Sequence, residues 1–104
     1  MGGNGLYEGL KKAVGEIEAG GVTAYGLSSA YMYGLAGIPV GSVPAEFREE
    51  FEGIRAAYAG ADPSSEIDDS LAANSMLMLD EGGLESLAAR IRGLFGRVAA
   101  AGGK

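Results

Sequence analysis

Leu6, Leu10, Val14 and Ile17 recur at i, i+4, i+8 and i+11, which draws one apolar stripe along a helix. The spacing predicts a first helix over 5–19, capped by Asn4 and ended by Gly20-Gly21. Thr23 then reads as the cap of a second helix running to Ala36. Val22 and Leu27 stand at the two positions of a hydrophobic staple, and Gly37 and Pro39 are the stop. Pro44 opens a third helix whose Phe47, Phe51, Ile54 and Tyr58 form a clean stripe up to Gly60. After the loop ADPSS, Ser65 and Asp68 resemble a capping box. They predict a fourth helix over 66–79 that uses Ile67, Leu71, Ala72, Ser75 and Met78. Its later part, SMLMLDEGG, carries the weakest pattern. Asp80 caps a fifth helix with Leu79 and Leu84 as its staple. Leu84, Leu87, Ala88, Ile91, Leu94, Phe95 and Val98 make a broad stripe. No alternating strand pattern competes. The expected fold is all-α: a compact bundle of four to five short helices in a single domain over 1–104, with 1–3 and 100–104 frayed.

Composition narrows what such a bundle can do. With 47% hydrophobic residues, the 104-residue chain has enough apolar material for one core and is unlike a disordered sequence. The sequence contains no histidine, which removes the commonest general base, the serine–histidine triad and the usual zinc ligand. It contains no cysteine, so thiolate chemistry and disulfides are absent as well. The net charge of −6 disfavours nucleic acid as a partner, since phosphate binding needs positive charge. Arg90 and Arg97 align at i, i+7 while Arg92 is turned away, so the three do not make one basic face. The opening MGGNGLYEGLKKAV reads as a helix start rather than a signal peptide. With the lack of cysteine, it gives a cytoplasmic protein as the expectation.

One stretch departs from the rest. From Ala19 to Ala45 the chain carries no charged residue. The second helix lies inside this run and is too short and too rich in Gly, Ser and Thr to span a membrane. Laid out at 100° per residue, Ala24, Leu27, Ala30, Tyr31, Gly34 and Leu35 share a core-facing side. The small residues 30 and 34 would let a neighbouring helix come close. The opposite side presents Tyr25, Ser28, Ser29 and Met32, with Tyr33 on its flank. A helix without a charged face is either buried all round or covered by something else. Tyr and Met are enriched at interfaces. The stretch therefore predicts a central helix, a protein–protein contact or a small-ligand pocket between helices; the contact would use Tyr25, Ser29, Met32 and Tyr33, with a homodimer as the simplest assembly.

The carboxylates suggest two alternatives. Glu46-Phe47-Arg48-Glu49 is an ExxE, and Glu66-Ile67-Asp68-Asp69 an ExxD, with sixteen residues between Glu49 and Glu66. This resembles the all-α nucleoside triphosphate pyrophosphatases, in which such acids on two adjacent helices hold magnesium. The resemblance covers residues 46–69. It implies Glu46, Glu49, Glu66 and Asp69 as Mg²⁺ ligands, oxygen donors suited to a hard cation that also binds substrate phosphates. The same acids could instead serve an acidic inhibitor of a basic protein. The primary reading is non-catalytic, with no cofactor: a small interaction module that meets a second copy of itself or another protein.

Overall fold

The computed structural model describes residues 2–38, 41, 43–59, 67 and 69–101; for residues 2–4 and 69 it describes the backbone only. Among them the backbone forms five α-helices and no strand: α1 (Gly2–Gly20), α2 (Ala24–Tyr33), α3 (Ala45–Ala59), α4 (Asp69–Leu77) and α5 (Glu81–Ala100). A short 3-10 turn, Leu35–Gly37, follows α2. α1 and α2 share the most extensive contact. α5 packs on α1 and α3, while α4 packs on α2 and α3. The Cα radius of gyration, 12.4 Å, is close to the ~13 Å expected of one folded domain of this length.

The helices form where their apolar stripes and caps agree. Leu6, Leu10, Ala13 and Ile17 of α1 are fully buried, as are Phe51, Ile54 and Tyr58 of α3 and Ile91 and Leu94 of α5. Val14 is only half-buried, and Ala13 takes the interior place beside it. Thr23 Oγ1 accepts from the Gly26 amide at 3.0 Å and donates to the Gly20 carbonyl at 3.1 Å, closing two backbone groups at one corner. Gly21, at φ +81°, ends α1 in the left-handed conformation that glycine adopts without strain. Asp80 Oδ1 accepts from the Gly83 amide at 2.7 Å and caps α5. Two arginines tie α5 to α3. Arg90 donates to Glu50 at 2.9 Å, and the Arg97 guanidinium stands 5.5 Å from the centre of the Phe47 ring. Arg92 is exposed and turned away from this seam.

Three boundaries differ from the sequence expectation. α1 begins at Gly2, so Asn4 lies within the helix rather than capping it. α4 is described from Asp69 to Leu77, shorter than the expected 66–79. Its proposed capping box at Ser65 and Asp68 lies outside the described residues, as do the stops at Pro39 and Gly60. α2 ends at Tyr33 rather than Ala36. The cause is the crossing with α1. A Cβ at Gly34 would stand 2.6 Å from the Gly9 carbonyl oxygen and 2.7 Å from the Ala13 nitrogen. At this closest point the chain leaves α geometry, with φ −131° and ψ −69° at Gly34. The following 3-10 turn brings both Leu35 and Ile38 into the core.

Gly34→Ala is therefore expected to cost ~1–3 kcal/mol, because the added methyl meets backbone that cannot rotate away. Gly15 offers the contrast: it is exposed in α1 with nothing within 4 Å of a built Cβ. Gly15→Ala is expected to add ~0.5–1 kcal/mol from helix propensity. Urea unfolding of the two variants beside the parent gives both signs in one experiment.

Candidate functional site

α2 lies at the centre of the bundle. Gly26, Leu27, Ser28, Ser29, Ala30 and Tyr31 are all buried, six residues in a row. A full turn takes about 3.6 residues, so the middle of α2 has no exposed side. Its small residues make this possible. A Cβ at Gly26 would collide with the Gly21 carbonyl oxygen, so the loop entering α2 lies directly on its first turn.

On the α3 side, Tyr58 is fully buried and donates its hydroxyl proton to the Leu27 carbonyl at 2.9 Å. Its ring lies against Tyr31, with centroids 4.7 Å apart. Ser75 of α4 donates to the Tyr58 carbonyl at 2.9 Å. Three helices thus meet in one chain of hydrogen bonds, and among the described residues no buried side-chain polar atom lacks a partner. Burial, and then the neighbouring Tyr31, hold the Tyr58 phenol well above its ordinary pKa of 10.0.

The four residues expected at an interface separate. Tyr25 is 74% exposed and Tyr33 is 65% exposed. Met32 is half-buried. Ser29 is only 4% exposed, which corrects its placement on a contact face: its own chain covers it. Leu27, Tyr31 and Leu35 are core, as the pattern predicts. What remains open to solvent is the two ends of α2. Eight residues along a helix place Tyr25 and Tyr33 ~12 Å apart along the axis and about 80° apart around it. Tyr33 borders a shallow cleft of ≈ 240 Å³ shared with Gly5, Glu8, Gly9 and Lys12 of α1, and with Gly34 and Gly37.

The carboxylate alternative gains no geometry. Glu46 and Glu49 are exposed on α3. Glu66 lies outside the described residues, as does the side chain of Asp69. Among the described residues no three acidic side chains are grouped so as to hold a metal ion. Glu50, between the stripe and the acids, is engaged by Arg90.

α4 carries a surface that the pattern missed. Met78, expected in the core stripe, is 84% exposed, and Met76 is buried in its place. The interior positions are Ala72, Ser75 and Met76, one side of the helix at i, i+3 and i+4, and Met78 follows the helix end at Leu77. Leu77 is 70% exposed. The available signal was a second uncharged run, Ser70 to Leu79, between Asp69 and Asp80. No described helix is long and apolar enough to cross a membrane. Comparison with protein-family models, curated proteins and solved structures finds no significant match to this chain.

Tyr58 gives a pH prediction. The native state keeps its proton to higher pH than the unfolded chain, whose tyrosine ionises near 10.0. Its contribution is complete below pH 10 and is lost as the pH rises above that value, at up to ~1.4 kcal/mol per pH unit. Tyr58→Phe is expected to cost ~1 kcal/mol at neutral pH through the lost hydrogen bond. It should also flatten the alkaline limb of stability against pH. Denaturation followed between pH 8 and 11 checks this, and parallel limbs for parent and variant would contradict it.

Proposed function

We propose that this chain is a small, non-catalytic interaction module of the cytoplasm that pairs with a second copy of itself through the exposed ends of α2. The observation that carries the reading is the contrast within one uncharged helix. Its middle is sealed by its own chain, yet Tyr25 and Tyr33 are 74% and 65% exposed. Aromatic side chains with a polar tip suit an interface, because they contribute a large contact area and still hydrogen-bond.

Charge opposes a like partner least at α2. A chain of net charge −6 repels its copy over most of its surface, and an uncharged helix is where that repulsion is weakest. The cleft beside Tyr33 also carries one carboxylate, Glu8, and one ammonium, Lys12. A two-fold axis there would set Glu8 of each copy against Lys12 of the other, the reciprocal contact that an isologous dimer requires. Two tyrosines and part of a methionine cover less than the ~800 Å² per partner of a standard interface, so the pairing is of the weak, reversible kind.

Sedimentation across a concentration series tests this. The parent is expected to shift from monomer to dimer below about 1 mM, while the double variant Tyr25→Glu/Tyr33→Glu stays monomeric. Both side chains are exposed in the single chain, so the variant should keep the parent's unfolding temperature. A parent that is monomeric throughout, or a variant that dimerises equally, refutes the reading.

A further inference from the structure

Beside the exposed Leu77 and Met78 lies an open groove of ≈ 480 Å³, lined by Ala57 of α3, Leu71, Asn74 and Ser75 of α4, and Met78 and Leu79 after it. Its lining is mostly apolar, and no lining residue among the described ones is charged. Ser75 directs its hydroxyl inward to the Tyr58 carbonyl, so it adds little polarity to the floor. Leu77 and Met78, at 70% and 84% exposed, are large apolar side chains at this end of α4, and nothing among the described residues covers them.

We infer that this groove receives an amphipathic helix of a basic partner protein. Three observations select that occupant. First, the groove is open, whereas a small-molecule pocket encloses most of its ligand. A helix laid in it covers Met78 and Leu79, with apolar anchors at i, i+3 and i+4. Second, the apolar run ends in acids: the exposed Asp80 and Glu81 follow Leu79 directly. With no lysine or arginine among the described lining residues, positive charge on the partner is favoured at the end of the groove where Asp80 and Glu81 follow Leu79, and a second copy of this acidic chain is not. Third, the groove is edged by a methionine, whose unbranched, polarizable side chain repacks around apolar partners of different shape. This surface and its partner are separate from the α2 contact between copies.

The probe is a fluorescein-labelled amphipathic helical peptide of leucine and lysine, titrated with the full chain and followed by anisotropy. The lysine peptide should bind, and its affinity should fall about tenfold as salt is raised from ~50 mM to ~300 mM. The same peptide with glutamate for lysine should not bind. Met78→Ser, which leaves every charge in place, should weaken binding at least tenfold. Asn74→Lys, which puts a positive charge on the wall, should weaken it as well. Residues 74 and 78 are both exposed, so both variants are expected to unfold at the parent's temperature. The Tyr25→Glu/Tyr33→Glu variant should still bind the peptide, which keeps this test independent of dimerisation. Equal binding to parent and Met78→Ser would mean that charge alone attracts the peptide, and the inference fails. Equal binding of the lysine and glutamate peptides, or no binding of either, also overturns it. So does self-association that Met78→Ser abolishes, since the groove would then hold a second copy.

Discussion

The fold depends on how closely α1 and α2 approach. At the crossing the two backbones touch with no side chain between them. Gly34 sits against the Gly9 carbonyl and the Ala13 nitrogen, while Ile38 covers Gly9. At the other end, Gly26 is pressed by the Gly21 carbonyl. Contacts of this kind leave no room for a methyl group, and packed interiors have little slack to supply it. The crossing ends the α-helix at Tyr33, turns Leu35 and Ile38 inward, and draws α2 deep enough that its middle turns are covered on every side.

Deep burial of α2 then has to be reconciled with its polar groups. Tyr58 does much of this from α3: its hydroxyl reaches the Leu27 carbonyl, its ring lies on Tyr31, and its own carbonyl is bonded by Ser75. Such a chain of bonds is geometrically demanding, because each group left unmade would stand unsatisfied in a medium of low dielectric. It fixes α2, α3 and α4 in one arrangement, whereas apolar packing alone would tolerate several. The surface follows from that arrangement. Tyr25 and Tyr33 emerge at the two ends of α2, and the last turn of α4 leaves Leu77 and Met78 in solvent.

Much of this was legible in the sequence. The stripes of α3 and α5, the caps at Thr23 and Asp80, and the alignment of Arg90 and Arg97 follow from spacing alone, since each helix there has one wet and one dry side. The small residues 30 and 34 correctly marked a close helix approach. The burial of Ser29 was not legible, because a two-sided helix is defined by its neighbours, and periodicity does not say how many neighbours there are. The phase of α4 was missed for a related reason. SMLML is apolar at nearly every position, so composition does not separate Met76 from Met78; Met76, at i+4 from the buried Ala72, is the one that shares its side. The acidic motif on 46–69 is only half placed: Glu46 and Glu49 are exposed on α3, while Glu66 and the side chain of Asp69 lie outside the described residues.

The central claim is that α2 is sealed in its middle by its own chain and open at its ends toward a second copy. Tyrosine-selective chemical modification, mapped by mass spectrometry at low and at high protein concentration, addresses both halves together. In dilute solution Tyr25 and Tyr33 should react while Tyr31 and Tyr58 do not. On concentration, Tyr25 and Tyr33 should lose reactivity, while half-buried Tyr7, stacked on Phe95, keeps the reactivity that it has when dilute. Reaction at Tyr31 or Tyr58 in the native protein would contradict the central placement of α2. Unchanged reactivity of Tyr25 and Tyr33 at all concentrations would contradict their role between copies.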